Sequence, residues 1–187
     1  RNSWNSSIAN NTKGHSPRHF FPIAYSAVLI LVGLGTAFYH ASLTFIGQTF
    51  DIAGMYLIAL LLATYGLSGF RRWTLYKTAI FWITSSIITL YIATVFPETR
   101  RYLFALFIAL ILFIELAYFK SNQSQTKYRF LIFAFVALIL GHLFWQLDYH
   151  HILCYPKNLL QGHAIWHILG AVAAYFAYIF YESRSIN

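Results

Sequence analysis

The sequence predicts an all-α fold, a polytopic transmembrane helix bundle with six spans, on three observations. Hydrophobic residues make up 59% of the 187 residues and charged ones only 10%, against about 25% charged in an ordinary soluble domain. Apolar runs of about 18 residues or more, long enough to cross a bilayer as a helix, recur along the chain. Lys and Arg fall in the short gaps between those runs rather than on a basic helix or an aromatic-interleaved patch. The length accommodates one bundle and no separate soluble domain.

Each element can be justified in order. Residues 1–19, RNSWNSSIANNTKGHSPRH, form a polar segment rich in Asn and Ser. The first span is expected from about Phe20 to Tyr39, with Pro22 tolerated in the first turn, where backbone N–H groups lack intrahelical partners. Ser42-Leu43-Thr44 leaves room only for a tight turn. The second span covers about Gly47 to Phe70 and stops at Arg71-Arg72. The third runs from about Thr78 to Phe96, ended by Pro97. The fourth covers about Tyr102 to Phe119, with the loop SNQSQTK after it. The fifth covers about Tyr128 to Leu147 and is followed by the polar run DYHHILCYPKN. The sixth runs from about Leu160 to Tyr181. The transmembrane domain therefore spans residues 20–182, leaving a short tail at 183–187. No repeat or low-complexity tract interrupts it.

The N-terminal residues lack the apolar core of a cleavable signal. The chain has no initiator Met and is expected to be a fragment. The single Cys154 excludes an internal disulfide and a Cys-rich metal site. The net charge of +8 is a topology signal and gives no support for nucleic-acid binding. With the N-terminal segment on side one, ten Lys and Arg fall there (Arg1, Lys13, Arg18, Arg71, Arg72, Lys77, Lys120, Lys127, Arg129, Arg184) and three on the other side (Arg100, Arg101, Lys157). The positive-inside rule makes side one cytoplasmic, with the C-terminus inside.

Two stretches carry chemistry. In GLGTAFYHASLTFIGQTFD, Thr36 and His40 lie one turn apart at the end of the first span, and Asp51 opens the second. In QGHAIWH, His163 and His167 lie at i and i+4 at the start of the sixth, so they share one helix face. The topology places all four ionisable groups toward the non-cytoplasmic leaflet. Imidazoles and a carboxylate inside apolar sequence need a partner or a function. Two His at this spacing suit one zinc ion, and His40 would add a third protein ligand. Three protein ligands and an open position make the catalytic rather than the structural pattern. Asp51 would then accept a proton from the attacking water, and Thr36 would donate to the developing oxyanion.

Each residue also has a plainer reading. Paired His occur in haem sites and polar networks, and His40 would serve as a hydrogen-bonded interfacial residue. Asp51 would suit a helix N-terminus, and Thr36 would bond back to its own helix. His142 reads as a core hydrogen-bonding residue, His150 and His151 as surface residues, and Glu115 as the ion-pair partner of Lys120 or another base. His15 and His19 belong to the polar segment. Tyr and Trp suit interfacial belts. No G-x-S-x-G elbow supports a serine hydrolase, and Cys154 reads as structural rather than nucleophilic.

The first stretch resembles the [S/T]-x-x-x-H and following Asp of the alkaline ceramidase family. FWQLDYHHILCYP with LLQGHAIWHILGA resembles its second block, W-x-x-D before a Cys and H-x-x-x-H after it. The wider superfamily includes adiponectin-type receptors and hydrolases that remodel GPI anchors. The resemblance implies zinc held by His40, His163 and His167, with Asp51 and Thr36 catalytic. It implies hydrolysis of the amide of a ceramide-like lipid to a sphingoid base and a fatty acid. The alternatives are a non-catalytic lipid receptor or sensor with a structural zinc, and a haem-binding electron carrier. Three departures stand out. Thr36 occupies the position of the family's usual Ser, and six spans stand against the family's seven, although RNSWNSSIANN resembles the entry to the family's first helix. The acidic calcium-binding segment is absent, as is the Cys expected to pair with the Cys154 position, so no calcium regulation is expected.

Overall fold

A computed structural model of the chain describes residues 17–121, 127–152 and 161–185. Most of the polar N-terminal segment, including His15, lies outside those residues, as do Cys154 and Lys157. The described residues form α1 (Pro17–Ser42), α2 (Phe45–Arg71), α3 (Leu75–Val95), a single 3-10 turn (Pro97–Thr99), α4 (Arg100–Ser121), α5 (Tyr128–Tyr149) and α6 (Gly162–Ser185). Among them there is no strand. Six segments are long and apolar enough to cross a membrane, from Phe20–Ser42 to Gly162–Ser183. The all-α, six-span fold is the one the sequence predicts, and the chain is a multi-pass membrane protein.

The helices outrun the apolar stretches at most ends, because caps rather than hydropathy decide where a helix stops. Thr44, in extended conformation, accepts a hydrogen bond from the Gly47 N–H at 3.1 Å, so α2 begins at Phe45 rather than Gly47. Thr74 does the same for Lys77, and α3 begins at Leu75. At the other end of α2, Arg72 turns left-handed (φ 53°) and its N–H reaches the Ser68 carbonyl. Leu43, also left-handed (φ 51°), reverses the chain between α1 and α2 while its N–H bonds to the Tyr39 carbonyl at 2.7 Å. α5 continues past Leu147, so Asp148 is helical.

The helices fall into two compact units, divided between Gln123 and Ser124. In the first, α2 is central and packs on α1, α3 and α4. Its core joins Tyr56, Ala59, Leu60 and Ala63 of α2 to Ala93 of α3 and Phe107, Ile111 and Ile114 of α4. Ile30, Leu34, Ile87 and Phe113 are exposed. In lipid such side chains carry no penalty, so helix association rests on close packing and internal hydrogen bonds. Small residues supply that closeness on α1 and α2, where a Cβ on Gly54 would lie 2.9 Å from the Val32 Cα.

The second unit is the α5–α6 hairpin. Phe176 of α6 packs against Phe130 and Phe133 of α5, with ring centroids 6.1 and 5.4 Å away, and Tyr128 meets Phe180 at 5.4 Å. Gly141 lets α6 approach α5 closely, since a Cβ there would lie 3.1 Å from the Trp166 ring and 3.2 Å from the Leu169 Cβ.

Candidate metal and catalytic site

The first unit builds its polar cluster where α1 ends and α2 begins. A Cβ on Gly35 would lie 2.8 Å from the Phe50 carbonyl oxygen and 3.0 Å from its carbon, so the two backbones nearly touch. Thr36 and Asp51, the next residues on each helix, are thereby brought side to side, and the Thr36 hydroxyl donates to Asp51 Oδ1. His40 follows Thr36 by one turn, in the last turn of α1. Asp51 lies in the second turn of α2, whose first turn holds no acid. The helix-terminus reading of Asp51 therefore loses its geometry: Thr44 starts the helix too early for it.

That hydrogen bond constrains the chemistry. A hydroxyl has one proton to donate. While Thr36 holds Asp51 it orients the carboxylate, and it cannot also donate to an oxyanion.

A second set of contacts fixes the start of α2. Gln48, one turn before Asp51, accepts from Arg100 Nη1 at 2.8 Å. Arg100 Nε donates to the Ala93 carbonyl at 2.8 Å, near the end of α3. Tyr56 Oη donates to the Arg100 carbonyl at 2.8 Å. The guanidinium also lies 5.6 Å from the Phe45 ring centroid. One residue thus ties α2, α3 and α4 at the end that carries Asp51. In the sequence Arg100 stands only as a topological charge. A base bordering two apolar runs gives no sign of which helix it will grip.

The second unit presents the histidine pair. His163 Nε2 and His167 Nε2 are 3.0 Å apart, with ring centroids at 4.7 Å. Zinc–imidazole bonds of about 2.0–2.1 Å at tetrahedral angles put two ligand nitrogens roughly 3.3 Å apart. The pair is within a few tenths of an ångström of that edge, so its donor set fits a divalent ion. Both rings are partly buried. The His163 N–H donates to Asp148 Oδ2 at 3.0 Å, from the first turn of α6 to the last turn of α5. A Cβ on Gly162 would lie 2.6 Å from the Asp148 Cβ, which presses the start of α6 onto α5.

Three further histidines lie on α5 or just after it. His142 is exposed, with its ring against Trp145 and Trp166 and Nε2 3.3 Å from Gln146 Nε2. It is therefore not the core residue the sequence suggested. His150 and His151 are exposed at the end of α5. Glu115 is buried in α4.

The Ceramidase family model matches the chain over residues 6–186. No curated protein and no solved structure matches it. The match covers all six helices, the Thr36–Asp51 pair and the two histidines of α6. This multi-pass membrane chain belongs to the Ceramidase family.

Proposed function

We propose that the protein is a zinc-dependent intramembrane amide hydrolase of ceramidase type, cleaving a ceramide-like lipid to a sphingoid base and a fatty acid. The observation that carries this reading is the 3.0 Å separation of His163 Nε2 and His167 Nε2 on one helix face. His40 is the third ligand in this reading, adjoining the Thr36–Asp51 pair along α1. A zinc ion held there would polarise the amide carbonyl and lower the pKa of water toward about 7.

The chain's own residues then divide the proton work. Asp51, oriented by Thr36, takes the proton of the water that attacks the carbonyl carbon. Once protonated, Asp51 is a poorer acceptor, and the Thr36 hydroxyl is released to donate to the developing oxyanion. Asp51 hands its proton to the departing amine nitrogen, which completes the cleavage and restores the carboxylate. Apolar side chains of the spans hold the hydrocarbon chains, as in mostly apolar sites with a few placed polar groups. The Lys and Arg distribution supports a cytoplasmic C-terminus and a site toward the non-cytoplasmic leaflet.

The test is release of sphingoid base and fatty acid from defined ceramides by detergent-purified protein, followed by mass spectrometry. Wild type is expected to release both in equal amounts. Asp51→Asn is expected to lose at least about 100-fold in turnover, the usual contribution of a positioned base. Equal turnover by the two proteins, or no product from the wild type, would overturn the hydrolase reading.

A further inference from the structure

We propose that Asp148 is a positioning residue for the histidine pair: its carboxylate fixes the first turn of α6 so that His163 and His167 are presented together as one chelate. The inference rests on the reading of these two residues as ligands, but its geometry lies entirely within the α5–α6 hairpin.

Two contacts converge on that turn and a third follows one turn later. Asp148 Oδ2 accepts the His163 N–H at 3.0 Å. The N–H groups of a first helical turn have no intrahelical acceptor, and those left unpaired in an apolar medium are costly. An external carboxylate satisfies one of them and also complements the positive end of the helix dipole. Gly162 leaves no room for a side chain between α6 and Asp148. One turn further on, the Trp166 ring seats beside Gly141 and meets the His142 ring edge-on at 6.3 Å. Trp166 lies between the two histidines in sequence, so the same packing that seats it holds the backbone bearing both.

Elsewhere in the hairpin the helices are joined by apolar side chains and aromatic rings. The Asp148 bond is charge-assisted and falls on the backbone of a proposed ligand. Without it, the first turn of α6 would fray, and His163 would leave the register that puts its Nε2 beside that of His167.

A probe that needs only two imidazoles one turn apart tests this apart from zinc and turnover. Copper(II)–iminodiacetate is chelated by such a pair, and copper favours imidazole nitrogen. Its affinity for the purified full chain can be read by electron paramagnetic resonance. A His163→Ala/His167→Ala variant defines binding elsewhere. Asp148→Ala is expected to weaken the pair-dependent binding about tenfold or more, the scale of a lost hydrogen bond to a charged group. Asp148→Asn keeps an acceptor oxygen and the side-chain shape. It is expected to weaken binding about threefold, since neutral acceptors are roughly half as strong, and it serves if Asp148→Ala does not purify folded.

Unchanged affinity in either variant would overturn the proposal. So would equal binding by the wild type and the double-histidine variant, because the pair would not then be presented as a chelate. If the copper series behaves as expected while the wild-type protein retains no zinc, the zinc reading fails and the positioning role stands.

Discussion

In the proposed reaction the Thr36 hydroxyl does two jobs in sequence. It donates to Asp51 Oδ1, and its single proton is free for another acceptor only after Asp51 has been neutralised. Thr36→Val keeps the branched shape and removes the proton. Its turnover of ceramide is expected to fall about 100-fold with little change in KM, the scale of one lost oxyanion donor. Thr36→Ser is expected to retain most activity. If Thr36→Val turned over at the wild-type rate, the hydroxyl would be structural only. That Thr36 and Asp51 belong to one polar cluster is legible in the sequence, because both stand in apolar runs joined by a tight reversal. That the hydroxyl donates to the carboxylate is not, since spacing leaves an oxyanion or its own helix carbonyl equally open to it. Asp148 was legible only as a letter of a motif: a carboxylate at the end of one helix gives no sign in sequence of which backbone N–H it will accept.

At the scale of elements, glycine and arginine decide how α2 is held. Gly35 lies where a Cβ would meet the Phe50 carbonyl at 2.8 Å, a backbone atom that cannot step aside. Gly35→Val is expected to push α1 off α2, destabilise the protein by about 1–3 kcal/mol, and separate Thr36 from Asp51. Thermal unfolding in detergent together with turnover would check it, and an unchanged melting temperature would contradict the close approach. Arg100→Met removes the guanidinium bonds to Gln48 and the Ala93 carbonyl. Partly buried charge-assisted bonds contribute about 1.5–3 kcal/mol each, so a clear loss of stability is expected, with turnover reduced because the Gln48 turn precedes Asp51. A melting temperature equal to wild type would show that the guanidinium is not what fastens α2. Hydropathy revealed all six helices, since a spanning helix must be apolar for its whole length. Their ends were less visible, because a capping Thr such as Thr44 or Thr74 resembles any loop Thr until its acceptor geometry is known.

At the scale of the whole molecule, the proposed zinc site draws ligands from two distant stretches of the chain, His40 on α1 and the pair on α6, and the proposed topology follows the charge pattern. A protease-sensitive tag after Asn187 is expected to be cleaved only from the cytoplasmic face of sealed vesicles, if the proposed topology drawn from the ten-to-three distribution of Lys and Arg holds; cleavage from the opposite face would contradict it. The central claim is that one zinc ion is held by histidines from both regions, and elemental analysis of detergent-purified protein tests it most directly. About one zinc per chain is expected in the wild type, falling to a small fraction in His40→Ala and in His163→Ala alike, while His142→Ala keeps it. A wild-type protein without zinc, or His40→Ala and His163→Ala variants that keep a full complement, would contradict the account.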